Sequence, residues 1–62
     1  MIGEKIREAR ESKGMSQYRL AEITGINRST IKRYEDNEIK KISFDNLMKI
    51  CKALEVNIKE II

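Results

Sequence analysis

Residues 17 to 36, QYRLAEITGINRSTIKRYED, contain two short helical patterns separated by a single Gly. Ser16 and Asn27 are residue types that cap helix N-termini, so each predicts that a helix begins immediately after it. Gly25 can adopt the left-handed conformation that ends the first of these helices, and it leaves room only for a very tight turn. The predicted helices cover residues 17–23 and 28–35.

The apolar residues of this stretch predict that the two helices pack together as an αα-hairpin. Ala21 is small enough to let the helices approach, and Ile31 is placed to hold the second helix against the first. Leu20, Ile26 and Tyr34 complete the apolar contacts around the turn. A hairpin of this shape leaves the outer face of its second helix free to enter the major groove of duplex DNA.

The outer face of the second helix is basic and polar, with no acidic residue between positions 27 and 34. Arg can bond guanine O6 and N7 with two hydrogen bonds, whereas Ser and Asn can reach base edges or phosphates and Lys can neutralise a phosphate. On composition alone a solvated charged face would be the preferred interpretation. The tight turn reverses that preference and favours DNA binding. The side chains concerned are Asn27, Arg28, Ser29, Lys32 and Arg33.

The rest of the chain is also predicted to be helical. An amphipathic helix runs from Ile2 to about Lys13, where Gly14 can stop it. Residues 36–42 form a loop, after which Ser43 can cap a fourth helix. The apolar stripe of that helix is predicted to be Phe44, Leu47, Ile50, Cys51 and Leu54. A short fifth helix is predicted from Asn57, in capping-box spacing with Glu60, to Ile62. The fold class is therefore all-α, a compact five-helix arrangement in one domain, residues 1–62.

Length and composition exclude several function classes. A chain of 62 residues can form one small core and has little spare length for a catalytic cleft. With 13 Lys and Arg against 10 Asp and Glu, the net charge of +3 permits nucleic-acid binding without requiring it. The single Cys51 and the absence of His leave no predicted metal site, and no catalytic grouping is present, so neither an enzyme nor a cofactor is expected. The charged start, MIGEKIREAR, is unlike a signal peptide or membrane span, which indicates a cytoplasmic protein.

The pattern of the hairpin resembles the Xre/Cro-type family of phage and bacterial repressors. The family pattern Q-x-x-L-A-x-x-x-G-(V/I)-x-x-S-(T/S)-I-x-x-(aromatic or aliphatic)-E is matched from Gln17 to Glu35, and SFDNLMKICKALEV resembles the family's fourth helix. The resemblance covers essentially the whole chain. It implies a transcriptional regulator, a repressor in most instances, whose recognition helix at 28–35 binds the major groove of duplex DNA.

The resemblance also assigns roles to individual residues. It implies base contacts by Asn27, Arg28, Ser29 and Arg33. It implies phosphate contacts by Gln17, Lys32, Asn37, Lys40, Lys41 and Ser43. The residues that hold the helix-turn-helix together would be Leu20, Ala21, Gly25, Ile26, Ile31 and Tyr34. Arg10 and Glu35 occupy the places of a structural ion pair. For Gln17, Lys40, Lys41 and Ser43, the role of a surface polar residue or helix cap is equally open.

The chain departs from the family pattern in two places, the segment after Glu35 and Thr24. The family often has Asn-Gly after the Glu that closes the recognition helix, whereas this chain has Asp36, Asn37 and Glu38. Two acidic residues beside the path of the phosphates would weaken the local attraction for DNA. Thr24 replaces a large aliphatic residue, a change that the core accepts if its hydroxyl reaches a backbone carbonyl.

The family usually binds two-fold operators as a homodimer, because one domain makes too few base contacts to select a site. Here a dimer would use the fourth and fifth helices. Val56, Ile58, Ile61 and Ile62 either cover that interface or close the core, and the sequence leaves both roles open. The rival function is an antitoxin-like or anti-repressor module that uses the same scaffold to bind a protein. RNA binding is disfavoured by the shortage of exposed aromatic residues.

Overall fold

The computed structural model describes every residue from Met1 to Ile62, and it is all-α. The four α-helices are α1 (Ile2–Ser12), α2 (Gln17–Thr24), α3 (Arg28–Glu35) and α4 (Phe44–Leu54), followed by a 3₁₀ turn (Ile58–Glu60). The molecule measures 23 × 23 × 19 Å. None of its helices combines the length and apolarity that crossing a membrane requires.

Three helices begin at the polar caps that the sequence predicted. The Oγ of Ser16 accepts the backbone N–H of Arg19 at 3.0 Å, at the start of α2. Asn27 Oδ1 accepts the N–H of Ser29 at 2.9 Å before α3. Ser43 plays the same part before α4, where its Oγ accepts the N–H of Asn46 at 3.1 Å. The caps satisfy N–H groups that have no partner within the helix.

All four helices are followed by a residue in the left-handed region, and two of these residues are not Gly. The positions are Gly14 (φ 66°), Gly25 (φ 75°), Asn37 (φ 61°) and Glu55 (φ 57°). After α3, the N–H of Glu38 donates to the Arg33 carbonyl at 2.9 Å and the N–H of Asn37 to the Tyr34 carbonyl at 3.2 Å. This is a Schellman motif with Asn in the position that Gly commonly takes.

One core lies between the helices. α1 packs against α3 and α4, and α2 packs against the same two helices. The backbone of α1 approaches that of α3 closely at Gly3, where a Cβ would come within 2.1 Å of the Tyr34 carbonyl oxygen. Thr24 fits as predicted, since its hydroxyl donates to the Leu20 carbonyl at 2.8 Å. The buried apolar residues are Ile6, Leu20, Ile26, Ile31, Tyr34, Leu47, Ile50, Cys51, Leu54 and Ile61.

The predicted fifth helix is wrong, because residues 58–60 form only a 3₁₀ turn. The predicted capping pair does form: Asn57 Oδ1 accepts the N–H of Lys59 at 2.9 Å, and Glu60 Oε2 accepts the N–H of Asn57 at 2.7 Å. After this turn Ile61 enters the core with 1% of its surface exposed. Ile62 is exposed, whereas Val56 and Ile58 are half-buried. Of the four residues whose role the sequence left open, Ile61 therefore closes the core.

Phe44 was predicted on the buried stripe of α4, and this is also wrong, because 68% of its surface is exposed. The stripe begins one turn later, at Leu47. Ile39 and Ile42, from the loop before α4, pack against the core, so this end of the core is covered without Phe44. Cys51 is buried at the centre of the stripe, and burial raises the pKa of its thiol.

Candidate nucleic-acid interface

The two sides of α3 differ in burial and in chemistry. Ile31, Tyr34 and Glu35 face the interior, with no more than 5% of each exposed. Arg28, Ser29, Lys32 and Arg33 are exposed on the other side. This division follows from the helical period, since positions 31, 34 and 35 share one face. The outer face therefore presents three basic side chains on a helix whose inner face is anchored.

A buried ion pair anchors α3 to the first two helices. Arg10 donates to both oxygens of Glu35, from Nε to Oε2 at 2.8 Å and from Nη2 to Oε1 at 3.0 Å. Gln17 Nε2 donates to Oε1 of the same carboxylate at 3.0 Å. Burial disfavours the ionised carboxylate, but the hydrogen bonds from Arg10 and Gln17 outweigh this cost and lower the pKa of Glu35. Side chains from α1, α2 and α3 thus meet at the Glu35 carboxylate.

A second polar contact fixes α3 relative to α4. The Asn46 side-chain amide donates to the Tyr34 hydroxyl at 2.9 Å. The ring of Tyr34 is buried, so this bond satisfies its only polar atom. α3 is therefore held by polar contacts on both sides.

The residues at the start of α3 line a polar cleft with the start of α2. Ser29 Oγ donates to Asn27 Oδ1 at 2.7 Å, so these two side chains hold each other in place. Gln17 is half-buried, since it is drawn inward toward Glu35. The cleft is lined by Gln17, Asn27, Arg28, Ser29 and Lys32.

The basic residues of α3 differ in whether they have an internal partner. Arg28 and Arg33 form no ion pair with the rest of the chain. Lys32, in contrast, lies 2.7 Å from the carboxylate of Asp36, measured from Nζ to Oδ2. The hydrogen bond to Asp36 raises the pKa of Lys32. Two guanidinium groups are thus free to bind a ligand, and the ammonium group is already engaged.

The loop residues lie beyond the other end of α3, which is about 12 Å long at 1.5 Å per residue. Lys40 and Lys41 are exposed and form no internal ion pair. Asn37 is half-buried and its backbone closes α3, while the hydroxyl of Ser43 caps α4. The predicted site residues therefore form the cleft at the start of α3 and the loop after its end, with Arg33 exposed on α3 between them.

Arg7 is a basic residue at this surface that the sequence prediction missed. Its Nη2 donates to Asp36 Oδ1 at 2.7 Å and to the Glu35 carbonyl at 3.3 Å. The available signal was its spacing, because Arg7 precedes Arg10 by three residues and so lies on the same face of α1. The end of α3 is therefore covered by a second arginine from α1.

Comparisons with known proteins agree on one family. Residues 5–62 match the family model of the Cro/C1-type HTH DNA-binding domain. A curated HTH-type transcriptional regulator of Rickettsia prowazekii is 39% identical over 57 residues, which are 92% of this chain and 43% of that protein. The chain thus spans less than half the length of this relative.

Solved structures agree with this result. The structure of SinR, a master regulator for biofilm formation, in complex with DNA matches with a TM-score of 0.92 and 34% identity, over 95% of this chain and 94% of that one. The restriction-modification controller protein C.AhdI of Aeromonas hydrophila matches with a TM-score of 0.92 and 33% identity, over 98% and 91% of the two chains. A complex of the SinR and SinI proteins matches with a TM-score of 0.95 and 32% identity, over 100% of this chain and 60% of the other. This chain is a member of the Cro/C1-type helix-turn-helix family of DNA-binding transcriptional regulators.

Proposed function

We propose that this chain is a single domain that binds one duplex DNA sequence through α3 in the major groove and represses the promoter that contains it. Occupancy of the site would exclude the transcription machinery. The bases would be read by Asn27, Arg28, Ser29 and Arg33. We place this activity in the cytoplasm, on the nucleoid, and assign no catalysis, metal or cofactor to the domain.

The observation that carries this proposal is the state of the two arginines on α3. Arg28 and Arg33 project from the exposed face of a helix whose other face is fully buried, and neither has an internal partner. A planar guanidinium with all its donors free is suited to the two acceptors of guanine. A helix that served only as scaffold would have no need of two such groups.

Phosphate contacts would place the domain on the duplex without reading its sequence. For Lys40 and Lys41 the proposal rests on exposure and the lack of internal ion pairs. Gln17 keeps one amide hydrogen and its carbonyl oxygen free after bonding Glu35. The remaining phosphate contacts proposed are Lys32, Asn37 and Ser43.

We further propose that the domain binds a two-fold operator as a homodimer through α4 and the C-terminal segment. An apolar groove crosses this surface between α4 and the 3₁₀ turn and includes Met48, Val56 and Ile58. Ile23 and Ile62, which are 45% and 61% exposed, add further apolar surface. Burial of such surface between two copies would be favourable.

The alternative is that the same apolar surface binds a different protein. The similar SinR chain has been solved both with DNA and with the SinI protein, so one such scaffold occurs with both kinds of partner. If this alternative held, the purified domain would enrich no DNA sequence, and the surface around Met48 would retain a partner other than a second copy.

The deciding experiment is selection of bound duplexes from a random pool by the purified domain, repeated with two variants. The unchanged domain should enrich a two-fold motif. Arg33→Ala should lose selection at one base pair of each half-site. Arg19→Ala is the control, because it removes the same side chain from an exposed position on α2, where Arg19 pairs only with Glu22. No enrichment at low salt by the unchanged domain would overturn the proposed function.

A further inference from the structure

The carboxylate of Asp36 lies between two cationic side chains, those of Arg7 and Lys32. Its Oδ1 accepts from Arg7 Nη2 and its Oδ2 accepts from Lys32 Nζ, both at 2.7 Å. A carboxylate that receives a cation on each oxygen presents the same charge and acceptor geometry as two oxygens of a phosphate. Lys32 is one of the side chains proposed above to contact DNA.

The pairing is held in place from the α1 side. Arg7 also donates to the Glu35 carbonyl at 3.3 Å and lies 3.5 Å from the buried Glu35 carboxylate. The side chain of Arg7 is 40% exposed and that of Asp36 30%, whereas that of Lys32 is 63% exposed. Of the two cations, Lys32 is therefore the one that is free to turn toward a ligand in solvent.

Resting on the proposed DNA-binding function, we propose that Asp36 is an internal competitor of DNA phosphate that holds Lys32 until the domain is seated on a duplex. Arg7 keeps the carboxylate in position, so Asp36 neutralises the charge of Lys32 and competes with a phosphate for it. While Lys32 remains paired with Asp36, it adds nothing to the affinity of the domain for DNA. Asp36 thereby lowers the affinity for DNA of any sequence.

If Asp36 competes with phosphate, removing the charge of Asp36 should change the affinity for DNA more than removing the charge of Glu38. Asp36→Asn should raise the affinity for a random-sequence duplex by about two- to five-fold, the range of an exposed ion pair. It should also steepen the salt dependence by up to about one unit, because Lys32 becomes available to phosphate. Glu38→Gln is the matched control, since it removes the same charge from an exposed residue two positions away that forms no ion pair.

The test is a double-mutant cycle on duplex affinity at two salt concentrations. Lys32→Met should cost more affinity in the Asp36→Asn background than in the unchanged domain, because only there is Lys32 free. In the Lys32→Met background, Asp36→Asn should have no larger effect than Glu38→Gln. Equal effects of Asp36→Asn and Glu38→Gln in both backgrounds would overturn the role of Asp36, since they would show only a general effect of charge.

The pairing can be measured without DNA by NMR titration of the Asp36 carboxyl group. The hydrogen bond from Lys32 lowers the pKa of Asp36, and Lys32→Met should move that pKa back toward its ordinary value. An unshifted Asp36 in the unchanged domain would overturn the proposal. A domain with the lowered Asp36 pKa that binds no duplex at low salt would overturn the proposed function, and this role with it. A domain that binds duplex but shows no coupling in the cycle would overturn this role alone.

Discussion

Base recognition and phosphate contact by single side chains have different energetic signatures. Arg33→Ala should cost about 1–3 kcal/mol on the selected site, because it removes a bidentate contact with one base. On a random duplex the loss should be much smaller. Affinities for both duplexes, measured at one salt concentration, give the comparison. Equal losses on the two duplexes would contradict the assignment of Arg33 to a base.

Unlike Arg33→Ala, Lys40→Ala should weaken binding to the selected site and to a random duplex alike. An exposed lysine that meets a phosphate contributes equally on all sequences, so both affinities should fall together. The slope of log affinity against log salt should become shallower by about one unit. An unchanged slope would show that Lys40 is a solvated surface residue, the other role that the sequence allows.

The buried carboxylate of Glu35 should control the stability of the fold. Glu35→Gln leaves Arg10 buried without its counter-charge, a change that costs about 3–5 kcal/mol in comparable buried pairs. In a domain of this size that loss is a large part of the free energy of unfolding. Urea denaturation followed by circular dichroism would measure it. A loss no larger than that of the exposed Glu38→Gln would contradict the role of Glu35.

The same residue predicts how stability depends on pH. The folded pKa of Glu35 lies below its ordinary value of 4.5, so folding favours the ionised form. Its contribution should therefore be complete above that value and should be lost as pH falls through the lower folded pKa. Urea midpoints measured across the acid range would test this dependence, which Glu35→Gln should flatten.

The residues of the inner faces were predictable from sequence, whereas the pairing at the exposed end of α3 was not. Spacing put Ile31 and Tyr34 on the inner side of α3, and the family resemblance paired Glu35 with Arg10. The structure buries Ile31, Tyr34 and Glu35. The contacts of Asp36 with Arg7 and Lys32 depend on the distance between α1 and the end of α3. Sequence spacing within one helix carries no information on that distance.

At the scale of whole elements, one stability prediction concerns the residue that follows α4. Glu55 adopts φ 57°, a left-handed conformation that favours Gly. Glu55→Gly should therefore raise the free energy of unfolding by about 0.5–1 kcal/mol, in spite of losing the exposed ion pair with Lys13. Urea denaturation of the variant would measure the gain. A destabilised variant would show that the ion pair outweighs the backbone strain.

Gly25, in the turn between α2 and α3, is a left-handed position that already has Gly, so replacing it should destabilise the domain. Its φ of 75° disfavours any Cβ, although there is open space around it. Gly25→Ala should therefore destabilise the domain by about 1–2 kcal/mol through backbone strain alone. Gly25→Asn should lose less, because Asn tolerates this conformation. Equal losses for Ala and Asn, measured by urea denaturation, would contradict this explanation.

Elements with both a cap and an apolar period were predicted well, and the exceptions have local causes. The hairpin of α2 and α3 has two capped starts and a Gly at the turn, so its type followed from sequence and its bounds followed to within one residue, α2 ending at Thr24 and not at 23. The C-terminal segment has a capping pair, but only three residues are helical before Ile61 turns into the core. Phe44 follows a cap and fits the period of α4, but loop residues Ile39 and Ile42 pack against the core instead.

For the molecule as a whole, a two-fold assembly predicts a fixed distance between half-sites. Each domain is 23 Å across, and two recognition helices about 34 Å apart would meet successive turns of one face of the duplex. Inserting about five base pairs between the half-sites should abolish joint binding, because it turns one half-site to the opposite face. Insertion of about one full turn keeps the face but changes the distance, so a rigid dimer should lose joint binding there as well. Unchanged affinity in both would contradict a rigid dimer.

Cys51 gives the folded domain an internal reporter of its own opening. It is the only thiol in the chain, and it lies 3% exposed at the centre of the stripe on α4. A thiol-specific reagent can reach it only in molecules whose core has opened, so the labelling rate follows the population of open molecules when closing is fast. A ligand that binds only the closed domain must slow the labelling in proportion to its occupancy. Mass spectrometry of the labelled chain could therefore measure duplex affinity and core stability in one experiment, on the unaltered sequence.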